Sequence, residues 1–272
     1  SICVEIIDRG GAGYADGVCC DFRDTENTAF RERAEPYSLV FRGNGMERYS
    51  LIHSVLPREF VLLQGTGCRW KKCTFCDYHG DVSDDPFVVN REVLAQVQGV
   101  YGVLDIINSG SAMELDEQTV EMIKQVVKEK NIHTLWFEAH YMYRHKLAKF
   151  AEQFQGVQVK FRCGIESFDG ALRELWNKGI AEDVHAEDVA KYFQGVCLLC
   201  CTEGDNRERI LRDIDLAEQY FEYASVNVFC ENTTRVKRDS NLAKWFVDEV
   251  YPRLKPSKKI EILINNTDLG VG

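Results

Sequence analysis

From Phe60 onward the sequence alternates short apolar runs with stretches whose apolar residues recur at helical spacing, and no other feature constrains the fold as strongly. The apolar runs are rich in Val, Ile, Leu and Phe, which is typical of strands buried on both faces of a sheet. Strands are predicted at residues 60–63, 103–108, 134–138, 157–163, 196–200 and 224–229. Because consecutive parallel strands require right-handed helical crossovers, the pattern predicts a parallel sheet with helices on its outside.

The predicted helices lie between and after these strands. They cover residues 91–100, 116–128, 144–154, 207–221 and 242–250, and a further helix begins at Asp169. Together these elements predict an α/β fold, a partial (β/α)6 barrel of the TIM type, and 272 residues are enough for one such domain. Residues 260–264 are a candidate for an additional edge strand.

An N-terminal extension precedes the barrel. Residues 1–57 are predicted to form the extension and residues 58–272 the barrel of what is a single domain overall. Within the extension, two alternating runs at residues 37–42 and 48–53 flank Gly43-Asn44-Gly45, which is a strong turn signal. These runs predict a β-hairpin that covers one end of the barrel.

The segment after the first strand carries three cysteines, Cys68, Cys73 and Cys76, at C-x4-C-x2-C spacing. Thiolates are the ligands that iron–sulfur clusters prefer, and a [4Fe–4S] cluster takes four of them. Because the loop contains no fourth cysteine, three thiolates would leave one iron open to a small molecule. The spacing therefore predicts a cluster-binding loop.

Two other interpretations of this loop remain open. His79 is near enough in sequence to complete a zinc site with the three thiolates. Alternatively, the cysteines are structural thiols that bind no metal, since free cysteine is among the most buried residue types. We favour the cluster because structural zinc motifs seldom follow a long buried strand.

The loop resembles the cysteine motif of the radical S-adenosylmethionine (SAM) superfamily. The usual spacing there is C-x3-C-x2-C, so the extra residue between Cys68 and Cys73 is a departure, whereas the ending Cys73-Thr74-Phe75-Cys76 matches the superfamily pattern. The resemblance implies that SAM chelates the open iron through its amino and carboxylate groups. It also implies that Phe75 packs near the adenine of SAM.

Polar residues that end the apolar runs are the candidate site, because barrels of this type carry their chemistry at the carboxyl ends of the strands. The residues after the second strand resemble the superfamily's glycine-containing segment, which contacts the SAM amino group through its backbone. These residues are Asn108, Ser109, Gly110 and Ser111. Glu166 follows the fourth strand in a segment similar to one in which the acidic residue lies near the ribose or methionine of SAM. These five residues and the aromatic residue of the loop are the candidate SAM-binding residues.

The other strand ends supply the candidate catalytic and substrate-binding residues. Glu138 and His140 lie at the end of the third strand, and Asn227 and Glu231 lie at the end of the sixth. Glu138, His140 and Glu231 are the candidates for catalysis. The candidates for substrate binding are Asn108, Glu138, His140, Asn227 and Glu231. Each also has a simpler explanation, because polar residues at strand ends commonly cap helices or contact solvent.

The net charge of the chain limits the classes of ligand that it is expected to bind. The net charge is −10 at pH 7, and affinity for nucleic acid depends largely on Lys and Arg, so a small-molecule substrate is expected rather than tRNA. No apolar stretch approaches the roughly 18 residues of a membrane span, and the first residues lack the pattern of a signal peptide. Eleven cysteines would suggest disulfides in a short secreted chain, but the length of this chain and the missing signal pattern predict reduced thiols and a cytoplasmic location.

Within the superfamily, the cysteine loop and the segments 108–111 and 166–179 resemble the bacterial enzymes that salvage the modified base queuine. The resemblance implies a lyase that breaks the carbon–nitrogen bond to the cyclopentenediol and releases 7-aminomethyl-7-deazaguanine. It also implies a flavodoxin- or ferredoxin-type reductant. Two alternatives remain open: a radical SAM enzyme that modifies tRNA or a peptide, and a non-enzymatic iron–sulfur or zinc-binding protein.

Overall fold

The computed structural model describes residues 46–271, which build one eight-stranded sheet with its strands in chain order. The strands are β1 (Tyr49–Ile52), β2 (Arg58–Leu63), β3 (Val103–Asn108), β4 (Thr134–Ala139), β5 (Gln158–Glu166), β6 (Gly195–Cys200), β7 (Tyr223–Val228) and β8 (Ile260–Leu263). β1 pairs antiparallel with β2, and every later pair is parallel. Arg58 on β2 reaches Glu261 on β8 at 2.8 Å, so the sheet curls into a partial barrel.

Helices cover the outside of the curled sheet. They are α1 (Pro86–Leu94), α2 (Glu117–Glu129), α3 (Leu147–Ala151), α4 (Gly170–Leu175), α5 (Ala186–Ala190), α6 (Arg207–Tyr220), α7 (Ser240–Trp245) and α8 (Tyr251–Leu254). Short 3₁₀ turns occupy Tyr78–Gly80, Ala112–Glu114 and Tyr141–Lys146, and a π-helical turn occupies Phe246–Val250. Within residues 46–271, no helix is long and apolar enough to cross a membrane.

The predicted α/β architecture is confirmed. Each of the predicted parallel strands is present and begins within two residues of its predicted start. The candidate edge strand forms β8 and pairs in parallel with β7, so the parallel part of the sheet has seven strands where the (β/α)6 prediction has six. The second run of the predicted hairpin forms β1, whereas its first run and the turn at 43–45 lie outside the described residues. The hairpin and the division at residue 58 therefore stay predictions.

The helix predicted at residues 91–100 is wrong in position. α1 begins at Pro86, where the fixed φ of proline favours the first turn of a helix, and it ends at Leu94. The following backbone is drawn away from helical geometry by the buried carboxylate of Glu59 on β2. Glu59 accepts hydrogen bonds from the backbone N–H groups of Gln98, Gly99 and Val100 at 2.6, 2.7 and 3.0 Å. A long-range contact therefore ends the helix early.

The two faces of the sheet carry different kinds of side chain. The outward face packs against the helices in one apolar core, which includes Leu104, Phe137 and Val196. The inward face carries buried charges near the amino ends of the strands: Arg58 contacts Asp105 at 2.7 Å, and Arg162 contacts the other oxygen of Asp105 at 2.7 Å. This charged layer fills the amino end of the barrel, so the opening lies at the carboxyl ends of the strands.

Candidate active site

The cysteine loop lies across the carboxyl end of β2 at the opening of the barrel. Cys68, Cys73 and Cys76 are free thiols and are partly buried. Cys73 and Cys76 pack against an apolar cluster to which Phe75 and Trp176 belong, and the rings of these two aromatic residues meet edge to face with centroids 5.5 Å apart. The predicted aromatic residue of the motif therefore supports the loop from within the protein.

The extra residue of the C-x4-C spacing is accommodated by a turn at Lys71, whose φ is 50°. The turn directs Trp70 towards the segment after α4, where its indole N–H donates to the carbonyl of Asn177 at 2.8 Å. The indole also stacks on His140, with ring centroids 5.8 Å apart and an interplanar angle of 23°. Gly179 lies against the indole so closely that a Cβ there would overlap the ring. Trp70 therefore connects the longer loop to the segment after α4 and to His140.

The donor set of the loop fits an iron–sulfur cluster better than a single metal ion. Within residues 46–271, no three His, Cys, Asp or Glu side chains converge closely enough to hold one ion, as the thiols and His79 would have to do around zinc. A cluster does not require that convergence, because each thiolate binds a different iron. Burial raises the pKa of the Cys73 thiol to about 11, although the nearby Lys178 opposes the shift, so metal binding would displace its proton.

The glycine-containing segment after β3 lies directly beside the cysteine loop. A Cβ at Gly110 would overlap the Glu114 carboxylate and would lie 3.2 Å from Cys68 Cα, so only glycine permits this approach. Glu114 ties the two segments together, because it accepts from Ser111 N–H at 2.6 Å and from Arg69 N–H at 2.9 Å. The predicted segment therefore reaches the loop, and Glu114 is a supporting residue that the strand-end pattern did not reveal.

The polar side chains of this segment bond mainly to the backbone around it. Ser109 Oγ accepts from Gly65 N–H at 3.0 Å, and Ser111 Oγ accepts from His140 N–H at 3.0 Å. Asn108 Nδ2 donates to the carbonyl of Ser111 at 3.2 Å. These bonds fix the backbone conformation of residues 108–111, which suits a segment that contacts a ligand through its main chain.

Glu166 ends β5 in a left-handed conformation, with φ 67°, where the pairing with β6 shifts register. Its side chain forms a buried ion pair with Lys178 at 2.9 Å. Burial raises the pKa of Glu166, although the charge of Lys178 opposes the shift. Burial alone would lower the pKa of Lys178, but the charge of Glu166 outweighs it and raises the pKa, so Lys178 remains a cation beside the cysteine loop.

Glu138 lies on the inward face of β4, close to this ion pair. Glu138 and the ion pair both approach Gly164. A Cβ at that position would lie 3.1 Å from Glu166 Oε1 and 3.4 Å from both Glu138 Oε1 and Lys178 Nζ. Glu138 Oε2 is 3.4 Å from Arg162 Nε and 3.4 Å from Cys197 Sγ. The absence of a side chain at Gly164 therefore leaves room where three charged groups converge.

His140 is fully engaged within the protein. Its Nε2–H donates to the carbonyl of Lys178 at 2.8 Å, and its Nδ1 accepts from Met142 N–H at 3.1 Å. Burial, followed by the charge of Lys178, lowers the pKa of His140 to about 4, so the ring is neutral. With both ring nitrogens bonded, His140 positions the segment around Lys178, and its proposed part in catalysis stays a prediction.

The two candidates at the end of β7 occupy different environments. Asn227 Nδ2 donates to the carbonyl of Leu198 at 2.9 Å, and the side chain is partly buried. Glu231 is more exposed, with 39% of its side-chain surface accessible, and it pairs with Lys237 at 3.2 Å. The contacts bring Glu138 together with Glu166, whereas Glu231 is bonded to its own loop.

Comparison with known proteins identifies the family. No protein-family model matches the chain, and no curated protein is significantly similar to it. Among solved structures 11 chains match, and one of these is queuine lyase from Clostridium spiroforme bound to SAM and queuine. That structure has a TM-score of 0.79 and 40% sequence identity, and the match covers 84% of this chain and 100% of that chain. This chain belongs to the queuine lyase family.

Membership of the queuine lyase family confirms the resemblance to radical SAM enzymes that the cysteine spacing and strand-end segments indicated. The roles of individual residues stay predictions. Three charged residues that contact the predicted site were missed from the sequence: Lys178, Arg162 and Glu114. Lys178 had a signal, because it lies within the segment 166–179 that carried the resemblance. Glu114 also had one, because Ser111-Ala112-Met113-Glu114 has the S-x-x-E spacing of a capping box, which the structure forms. Arg162 had none, since it lies within β5 and away from its end.

Proposed function

We propose that this protein is a queuine lyase that holds a [4Fe–4S] cluster and SAM at the opening of its barrel. It breaks the carbon–nitrogen bond between the aminomethyl-deazaguanine and the cyclopentenediol. The observation that carries the proposal is 40% identity over the whole of a solved queuine lyase whose ligands are SAM and queuine. The chemistry of the donors agrees, because three partly buried thiols lie on one loop at the barrel opening.

In this proposal Cys68, Cys73 and Cys76 bind three irons of the cluster. When bound, the cluster and SAM supply the radical that begins the cleavage, and the protein supplies placement and protection from water. The apolar cluster around Phe75 and Trp176 covers the inner side of the cysteine loop, which limits the access of solvent. The backbone of residues 108–111, Glu166 and Phe75 are proposed to contact SAM.

The proposed substrate site is the inward face of the barrel next to Gly164. A carboxylate, either Glu138 on this face or Glu231 in the loop after β7, accepts hydrogen bonds from the substrate. The inward position of Glu138 supports it as the stronger candidate. The side chains of Asn108 or Asn227 are proposed to bond the diol. His140 is less suited to that contact, because both ring nitrogens are already bonded within the protein.

The electron is proposed to come from a flavodoxin- or ferredoxin-type protein that docks on the cysteine loop. Arg69, Lys71 and Lys72 are exposed on this loop, and within residues 46–271 none of them forms an ion pair. The chain as a whole has a net charge of −10, so these cations form a local exception. An acidic electron carrier would be attracted to this surface and repelled by the remaining, negatively charged surface of the protein.

The proposal is tested with anaerobically reconstituted protein, dithionite, SAM and queuine. We expect 5′-deoxyadenosine and 7-aminomethyl-7-deazaguanine to be formed together, as measured by mass spectrometry. Replacing queuine with bulk tRNA distinguishes the alternative of a tRNA-modifying enzyme, for which 5′-deoxyadenosine would form with tRNA and not with queuine.

Two variants connect the activity to the cysteine loop. Cys73→Ala is expected to lose iron and both products, because one iron loses its ligand. Cys200→Ala is the matched control: this thiol is buried 3.7 Å from Cys201 in the outer core, so the variant should retain its iron. A full iron content in the Cys73→Ala protein would contradict the assignment of the loop.

A further inference from the structure

The inward-facing charges of the barrel form a chain that crosses it from β8 to β4. The chain runs through Glu261, Arg58, Asp105, Arg162 and Glu138. The first three contacts measure 2.8, 2.7 and 2.7 Å, whereas the last, between Arg162 Nε and Glu138 Oε2, measures 3.4 Å. Because the chain contains three carboxylates and two guanidinium groups, one negative charge is left over.

The surplus charge lies on Glu138, at the open end of the chain. Its side chain is 33% accessible, compared with 6% for Glu261 and 0% for Asp105. Glu261 also accepts a hydrogen bond from the hydroxyl of Tyr223 at 2.6 Å, whereas Glu138 has only the long contact to Arg162 among the cations. An incompletely paired carboxylate is less costly where water or a ligand can reach it.

The nearby cation does not neutralise Glu138, because Lys178 is paired with Glu166 at 2.9 Å. The two oxygens of Glu138 also differ. Oε2 contacts Arg162 Nε and Cys197 Sγ, whereas Oε1 is directed towards the space at Gly164, and no hydrogen bond from residues 46–271 reaches it. Glu138 therefore offers one free oxygen and one uncompensated charge to a ligand.

We propose that Glu138 Oε1 binds the secondary ammonium group of the substrate, and that Arg162 positions the Glu138 carboxylate for this contact. The inference rests on the proposed function. The nitrogen that joins the deazaguanine methylene to the cyclopentenediol is an aliphatic amine, which is protonated at neutral pH as the Lys amine is. A cationic donor matches both the surplus charge and the single free oxygen. The guanine-like edge of the base is neutral, and its two adjacent donors would require both carboxylate oxygens.

This contact would place Glu138 at the bond that is cleaved, because the ammonium nitrogen is one of its two atoms. The position agrees with the surroundings of Glu138, which lies beside the Glu166–Lys178 pair and so next to the cysteine loop. Arg162 acts through Glu138: its other contacts, to Asp105 at 2.9 and 2.7 Å, fix the guanidinium plane.

The test compares queuine with an analogue in which an ether oxygen replaces the linking amine, so that the analogue is uncharged. Dissociation constants are measured by calorimetry on anaerobically reconstituted protein with SAM and without reductant. We expect wild-type protein to prefer queuine by about ten- to a hundred-fold, as a charge-assisted hydrogen bond would provide. Glu138→Gln should reduce this preference to about threefold or less while binding the analogue as wild type does.

Arg162→Lys tests the positioning role, because lysine keeps the charge but cannot hold Asp105 with a planar fork. A positioning residue would weaken queuine binding and leave the analogue unaffected, whereas a purely structural residue would weaken both equally. Glu121→Gln on α2 is the matched control, since Glu121 is exposed and pairs with Lys124, and it should keep the wild-type preference.

Three outcomes would overturn the inference: no preference in the wild-type protein, an unchanged preference in Glu138→Gln, or a loss of preference in Glu231→Gln instead. Equal weakening of both ligands by Glu138→Gln would also overturn it, because the carboxylate would then bind a part that the ligands share. Failure of wild-type protein to bind either ligand would overturn the proposed function, which is a different result from binding without preference.

Discussion

Asp213 on α6 supports the active-site segment from outside the barrel. Its carboxylate accepts hydrogen bonds from Ser167 Oγ at 2.5 Å and from Phe168 N–H at 3.1 Å, directly after Glu166. Burial raises the pKa of Asp213 from 3.8 to about 6, although these hydrogen bonds oppose the shift. The residue that holds the segment of Glu166 in place is therefore sensitive to pH.

This sensitivity predicts a pH dependence of stability. Between about pH 4 and 6 the folded protein binds a proton at Asp213 that the unfolded chain does not, so this group's contribution to stability falls as the pH rises through that window. We expect Asp213→Asn to flatten the dependence by up to about 3 kcal/mol, because a rise from 3.8 to about 6 is roughly two pKa units at about 1.4 kcal/mol each. The measurement is urea unfolding of wild type and variant across this range. Parallel stability curves would show that Asp213 does not titrate in this way.

Individual site residues could be predicted from the sequence only where position along a strand was sufficient. The positions of Glu138 and Glu166 were predictable because polar side chains at the carboxyl ends of parallel strands face the opening of a barrel, whereas their roles stay predictions. Their partners, Arg162 and Lys178, come from other elements, and which charges pair depends on distances that no spacing encodes. For the same reason Glu231 could not be told apart from Glu138, although it pairs with Lys237 in its own loop.

At the scale of elements, strands were easier to predict than helices. Strands buried on both faces appear as continuous apolar runs, whereas the C-terminal end of α1 depends on a contact from Glu59. The helix predicted at residues 144–154 likewise differs, because a 3₁₀ turn, Tyr141–Lys146, precedes the short α3. His140 begins that turn by accepting from Met142 N–H, which local side-chain bonding explains and periodicity does not.

The extra residue between Cys68 and Cys73 changes the contacts of the whole cysteine loop. The left-handed turn at Lys71 allows Trp70 to reach Asn177 and His140, so the loop is joined to the segment that carries Lys178. We expect Trp70→Ala to release iron to a chelator several-fold faster than wild type, because the loop loses a hydrogen bond worth about 1 kcal/mol together with a stacking contact. The measurement is the rate of iron transfer under anaerobic conditions.

Trp245→Phe is the control for this prediction. Trp245 is buried on α7 and donates to Glu249 at 3.0 Å, so the variant loses an indole hydrogen bond in the main core, outside the apolar cluster that contacts Cys73 and Cys76. Its iron release should match that of wild type even if its melting temperature falls. Equal acceleration in both variants would mean that iron release reports general stability and not the anchoring of the loop.

At the scale of the whole molecule, the buried charges at the amino end of the barrel replace the apolar filling that a closed barrel usually has. Asp105 is the centre of this layer: it accepts from Arg58 Nε at 2.7 Å and from Arg162 Nη1 and Nη2 at 2.9 and 2.7 Å. Burial raises the pKa of Asp105, but the two guanidinium groups outweigh it and the pKa is lowered. The carboxylate is therefore ionised in the folded protein. One residue thus joins β2, β3 and β5.

Replacing Asp105 by Asn should destabilise the whole protein. Two buried guanidinium groups would lose their shared anion, and removing one partner from a buried ion pair costs about 3–5 kcal/mol. The measurement is the free energy of unfolding in urea. A matched variant, Asp105→Asn with Arg162→Gln, restores the balance of charge and should recover part of the loss, since the remaining Arg58 still pairs with Glu261 at 2.8 Å. If the double variant is less stable than Asp105→Asn by the full cost of a second independent substitution, the layer stabilises the barrel through packing alone and its charges are not coupled.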